Sequence, residues 1–160
     1  MSEAAELQVV EFGLGDEVFA VPVTLVREIL DYAQPSQVPN GPHHFLGLTD
    51  VRGQGVPTVD FRLRVGLHSI EPTLATRIVI LDIPRKSGVL TLGVVIDRVL
   101  SVSSYEKARI EPPPEIGMRW DSDYITGVIR QEHGFVLIVD VARVFTSEES
   151  DMFADIFEAA

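Results

Sequence analysis

The chain has 160 residues, no cysteine and a formal net charge of −11. That length holds one domain able to bury most of its apolar surface, and the absence of cysteine excludes disulfides and thiolate metal sites. The negative charge would repel a phosphate backbone or an anionic membrane face, and the basic residues stand singly or in small groups such as Arg62 and Arg64 or Lys107 and Arg109, so no nucleic-acid groove is read.

In chain order, Met1 to Glu6 is acidic and lacks the basic flank and apolar core of a secretion signal, which predicts an intracellular, cytoplasmic protein. Phe12 to Val21 alternates around a Gly15-Asp16 turn and predicts a hairpin. Thr24 ahead of Leu25-Val26-Arg27 predicts a brief helix. Leu46 to Val51 and Val56 to Val59 read as strands around a glycine turn, with Gly53 and Gly55 supplying positive backbone angles and Arg52 set at the tip. Asp60 predicts the cap of a short helix that stops at Gly66. Arg77 to Ile83 with Val89 to Ile96, and Tyr124 to Arg130 with Phe135 to Asp140, predict two more hairpins. Phe135 to Val139, one of the longest apolar runs, is far too short to cross a membrane.

From Glu106 to Asp123 no strand pattern is visible, and Pro112-Pro113-Pro114 predicts a stiff extended connector rather than a ligand for a proline-recognising domain, with Trp120 covering the core. From Ser147 onward the chain carries Glu148, Glu149, Asp151, Asp155 and Glu158 and no base. Met152, Phe153, Ile156 and Phe157 recur at helical spacing, so residues 147–160 predict an acidic amphipathic helix packed on the domain. Many short strands with little helix predict a mainly β barrel or sandwich.

Catalytic and metal constellations fail on geometry. His43 and His44 are adjacent and point to opposite sides of an extended segment, so they cannot chelate one ion together. His68 and His133 stand alone in turns. Asp60, Asp82, Asp97 and Asp140 each follow an apolar run, where caps and turns call for aspartate. Gly13-x-Gly15 and Gly53-x-Gly55 lack the rest of a dinucleotide fingerprint, and no serine sits in a nucleophile elbow. The expectation is a protein that is not an enzyme and needs no cofactor or metal. A small-molecule-binding or catalytic barrel using strand-end carboxylates is the rival reading, and a peptide-binding barrel is a third.

Gly47-Leu48-Thr49-Asp50-Val51-Arg52-Gly53-Gln54-Gly55-Val56-Pro57-Thr58-Val59-Asp60-Phe61-Arg62 resembles the asparagine-leucine-arginine-glycine hallmark, proline-containing strand and aspartate-leucine-arginine of the CheW family of bacterial chemotaxis coupling proteins. Asp50 stands where the hallmark has asparagine and Val51 where it has leucine. The resemblance extends over residues 8–146: Val10 to Val23, Val26-Arg27-Glu28-Ile29, Gly93 to Val99, Ile110-x-Pro112, Tyr124 to Gly127 and Leu137 to Asp140 are similar to the family's other segments. It implies two intertwined five-stranded SH3-like β-barrel subdomains with a few short helices and an apolar groove between them, which together form a CheW-like domain over 8–146. It also implies a free-standing adaptor coupling the signalling tips of methyl-accepting chemoreceptors to the regulatory domain of the histidine autokinase CheA, in a two-component signal-transduction pathway. Membrane insertion is not implied, only recruitment to membrane-associated receptor arrays. The receptor-binding residues it implies are Val26, Glu28, Gly47, Asp50, Arg52 and Ile78, with Arg52 and Glu28 fixing register by charge. Arg52 pairing with Asp50 or Glu28 merely to stiffen the turn is the competing role for that side chain.

Overall fold

The computed structural model describes residues 5–39, 41–113, 124–132 and 134–159. Trp120, His133 and the last of the three prolines lie outside them. Several strands bury runs of four or more consecutive side chains, so both of their faces are covered, and strict alternation of buried and exposed residues is the exception. β1 (Glu6–Leu14) and β2 (Glu17–Pro22) form the predicted hairpin, and β4 (Phe45–Val51) pairs with β5 (Gln54–Asp60). β6 (Arg77–Arg85) pairs with β7 (Gly88–Ile96), and β10 (Ile125–Gln131) pairs with β11 (Gly134–Val139). Asp60 caps α1 (Phe61–Arg64) by accepting the Arg62 N–H at 3.0 Å, and Asp140 caps α2 (Val141–Val144) by accepting the Ala142 N–H at 3.1 Å. The acidic tail forms α3 (Ser147–Ala159). Its start is a capping box, in which Thr146 Oγ1 accepts the Glu149 N–H and Glu149 Oε1 accepts the Thr146 N–H, both at 3.0 Å.

Three segments depart from the sequence expectation. The helix expected after Thr24 is a single 3-10 turn over Val23–Leu25, and Val26–Asp31 is strand β3. Its strict alternation of partly buried Val26, Glu28 and Leu30 with exposed Arg27, Ile29 and Asp31 is a period of two, which outweighs one capping residue. β8 (Arg98–Glu106) has no recognisable apolar rhythm because it is an edge strand with a serine-rich, largely exposed sequence. Within the supposedly strandless connector, Ile110–Glu111 adds β9 to the edge of β10.

The strands lie in two sheets, ordered β8-β1-β2-β11-β10-β9 and β3-β6-β7-β5-β4. These are the two intertwined barrels, the second with five strands and the first with a sixth because of β9. The pairing pattern of the first half of the chain recurs in the second half. Each half begins with an antiparallel hairpin (β1–β2, β6–β7) and then crosses to the other barrel to supply its edge strand (β3, β8). A further hairpin follows, whose return strand runs parallel to the other half's first hairpin, β5 beside β7 and β11 beside β2. The bulges match as well: Phe45/Gly47 corresponds to Ile125/Gly127. So do the closing bonds, Asp60 N–H to the His44 carbonyl and Asp140 N–H to the Tyr124 carbonyl, each 2.8 Å.

Between the barrels, where the family resemblance implied an apolar groove, lies the largest buried cluster. Phe12, Phe19 and Phe61 meet there at ring separations of 5.7 to 6.0 Å, with Val79, Leu81 and Val94 from the other sheet. Each barrel also has its own interior: Val9, Ala20, Ile129 and Ile138 in the first, and Val51, Val56, Ile78 and Ile80 in the second. α3 seats Phe153, 0% exposed, in the shared core between Phe45 and Phe145, and lays Phe157 over the interior of the second barrel.

Candidate functional site

The site lies along the seam of the second barrel. β3 and β4 are the two outer strands of its sheet, and two contacts draw them together. Ser36 and Leu48 exchange N–H to carbonyl bonds of 2.8 Å, and beyond them the Arg52 guanidinium reaches Glu28, Nη2 to Oε1 at 3.3 Å and Nε to Oε2 at 3.4 Å. Gly47 makes the first contact possible: its φ is +137°, and a Cβ there would sit 1.9 Å from the Ser36 carbonyl oxygen. Glycine alone fits that backbone and that gap.

The hairpin tip is a two-residue turn, since Val51 pairs with Gln54. Positive φ occurs at Arg52 (53°) and Gly53 (84°), not at Gly53 and Gly55 as the glycine pattern implied. Positive angles at both central positions define the tight turn whose twist matches the strands, a turn that prefers asparagine before glycine. Arginine there costs roughly 1–2 kcal/mol of backbone strain. The Asp50 carboxylate steadies the turn by accepting the Gly53 N–H at 2.9 Å, which leaves Arg52 to Glu28. Arg52 is nonetheless displayed, its side chain 82% exposed against 21% for Glu28.

The expected receptor-binding residues thus divide by position. Asp50 and Arg52 are exposed at the tip, Glu28 is partly covered beneath the guanidinium, and Val26 is partly buried against the shared core. Gly47 is buried and acts through its backbone. Ile78 is not on this face: it is 0% exposed, packed with Val51, Val56 and Ile80 under Phe157, because the inward side of β6 lines the barrel interior. Two neighbours escaped sequence reading. Ile29 on β3 is an exposed apolar side chain (39%), and the Gln54 amide donates to the Phe157 carbonyl at 3.1 Å, tying the hairpin to the end of α3. The alternation of β3 would have marked Ile29; nothing local marks Gln54, whose partner is far along the chain.

The strand-end carboxylates are occupied. Asp60 and Asp140 cap helices, and Asp97 accepts the Gly15 N–H at 2.7 Å and Arg62 Nη1 at 2.8 Å. Asp82 sits inside β6 rather than at its end, and bonds Arg27 Nε at 2.9 Å and Thr91 Oγ1 at 2.7 Å. Among the described residues no group of three or more histidine, aspartate or glutamate side chains could hold a metal ion. His43 and His44 lie not in an extended segment but at the centre of a turn closed by the Phe45 N–H to the Pro42 carbonyl at 2.9 Å, with His43 exposed and His44 buried. His44 Nε2 lies 3.3 Å from Glu149 Oε2 without hydrogen-bond alignment, and burial holds its imidazole below the ordinary histidine range although Glu149 pulls the other way. No helix among the described residues is long and apolar enough to cross a membrane.

A family model described as the CheW-like domain matches residues 8–149. The chain is 31% identical over 144 residues to the chemotaxis protein CheW of Rhizobium meliloti (strain 1021), covering 90% of each chain. To that of Klebsiella aerogenes it is 29% identical over 138 residues, covering 86% of this chain and 81% of the relative. In architecture it is similar to the scaffolding protein TtCheW from Thermoanaerobacter tengcongensis, with a TM-score of 0.77 over 89% of this chain and 94% of that one, at 22% identity. The hallmark turn, the paired barrels and the extent of these matches agree, and the chain belongs to the CheW-like family.

Proposed function

We propose that this protein is a chemotaxis adaptor that couples methyl-accepting chemoreceptors to the histidine kinase CheA. The carrying observation is Arg52: a charged side chain held in strained left-handed backbone, mostly in water, on a turn the fold would build more cheaply with asparagine or glycine. Strain kept at an exposed position points to use by a partner. The proposed receptor face is the seam of the second barrel, where Val26 and Ile29 offer apolar area and Arg52, Glu28 and Asp50 offer charge. Burial would supply most of the affinity and the charges the register. Gly47 and Ile78 support the face from beneath. A second face, at an exposed barrel end, would meet the matching barrel end of the kinase regulatory domain. The protein would work in the cytoplasm at membrane-associated receptor arrays, as a scaffold without catalysis of its own. Residues 8–146 would form the coupling domain, with the terminal helix as its brace.

Gel filtration of the protein with a receptor signalling fragment and the kinase regulatory domain tests this, co-elution being the expected result. Arg52→Asp should melt like the wild type, because aspartate tolerates left-handed backbone, and should still bind the kinase domain. It should lose the receptor fragment, since reversing a charge at a partly desolvated contact costs several kcal/mol. Unchanged receptor binding would remove Arg52 from the interface, and collapse of the melting transition would assign it to the fold alone. Asp50→Asn should alter receptor affinity by no more than about 1 kcal/mol, because the asparagine oxygen can still accept the Gly53 N–H and the charge removed is exposed.

A further inference from the structure

The barrels share a pairing pattern but differ at their hairpin ends. In the second barrel, Val51, Val56, Ile78 and Ile80 are sealed by Phe157. Gln131 and Val136 occupy the places of Val51 and Val56 on the matching hairpin, whose tip closes at Gln131 and Gly134 as the other closes at Val51 and Gln54. Glu11 takes the place of Ile80: each lies just beyond the bulge against its edge strand, opposite Ser101 and Glu28 respectively. Among the described residues no helix covers this end. A cavity of about 600 Å³ opens there, with Glu11, Gln131 and Val136 in its lining.

We propose that this mouth docks a partner-protein segment carrying an arginine or lysine beside apolar side chains, filling the first barrel as Phe157 fills the second. Two observations fix the chemistry. Leu100 and Phe135, 42% and 47% exposed, flank the opening and supply apolar contact. Glu11, Asp16, Glu17 and Glu132 line it with no lysine or arginine among them. Arg130, stacked on the Phe135 ring at 5.1 Å, is paired with Glu111 and lies outside the lining. Glu11 is only 8% exposed, and the Tyr105 hydroxyl and Ser101 hold it in place, the Gln131 amide in turn donating to that hydroxyl at 2.8 Å. A cation entering here would meet a fixed carboxylate in partly dry surroundings, where charge complementarity counts most. The carboxylates do not converge as metal ligands, so an extended cationic segment fits where a bare ion does not. A second copy's α3 is repelled, because the tail is acidic and carries no base. The receptor face proposed above lies on the other barrel, and this inference stands independently of it.

The test is a titration of the isotopically labelled protein with an amphipathic leucine-lysine peptide, followed by amide chemical shifts. Expected are shifts centred on Val18, Leu100, Gln131, Gly134 and Val136, and affinity at least about tenfold weaker in Glu17→Lys/Glu132→Lys. Both are exposed, so the fold should persist, and circular dichroism checks that it does. Asp155→Lys, an equal change per site on exposed α3 surface, should leave affinity unchanged, and a leucine-glutamate peptide should not bind. Absence of binding, shifts spread over the whole acidic surface, equal weakening by Asp155→Lys, or binding of the glutamate peptide would each overturn the proposal.

Discussion

The two barrels follow one plan with opposite finishing. The second is drawn together at its seam by Arg52 and Glu28 and closed at its end by Phe157, while the first carries Glu132 and Ser101 in the places of Arg52 and Glu28 and remains open. Backbone pairing therefore does not decide which surface is available to partners; a few side chains and one terminal helix do.

The largest effect should come from removing the anchor of that helix. Phe153→Ala empties a 0% exposed site between Phe45 and Phe145 and should cost about 3–5 kcal/mol, read as a lower denaturation midpoint. Loss of α3 protection in hydrogen exchange should accompany it, the second barrel then resembling the first. A small shift in midpoint would mean that α3 is loosely held.

The equivalent glycines should differ in tolerance. Gly47→Ala sets a Cβ 1.9 Å from a backbone carbonyl at φ +137° and should cost roughly 3 kcal/mol or more. Gly127→Ala meets the Ile110 methyl at 2.5 Å, a side chain that can shift, and should cost less than half as much, roughly 1 kcal/mol. Equal midpoints for the two variants would contradict the close crossing at the seam.

Protonation offers a third comparison, since His44 and Tyr124 hold matching places before the two helix caps. Burial depresses the His44 pKa, against Glu149 and with lesser help from Arg64 and His43. The unfolded chain then binds the proton more readily than the folded one. His44's contribution is fully present above the unfolded value of about 6.5 and is lost as pH falls through it toward the folded value. His44→Phe should flatten the decline in unfolding free energy between about pH 7 and pH 5 relative to wild type; parallel curves would refute the assignment.

The smallest effect is expected at Arg52→Gly. Relief of left-handed strain, about 1 kcal/mol, roughly offsets loss of a pair whose arginine is 82% exposed. Stability should stay within about 1 kcal/mol of wild type while receptor association falls, separating the charge from the turn.

Local chemistry was enough to read the four hairpins, the aspartate caps at Asp60 and Asp140, and the amphipathic tail, because turn glycines, capping side chains and periodicity act over a few residues. The exposed arginine tip was legible for the same reason. Edge strands were harder: β3 alternates plainly but follows a cap-like threonine, and β8 and β9 have little apolar rhythm because half of their hydrogen bonding and most of their surface face outward. Only the tertiary structure decided that Arg52 pairs with Glu28 while Asp50 serves Gly53, since a carboxylate near in sequence and one across the seam look alike until the barrel closes. It likewise buried Ile78 and left Leu100 and Phe135 in the open. All three are apolar residues in strands, and what covers each is set by contacts far along the chain, where the terminal helix reaches one barrel and not the other.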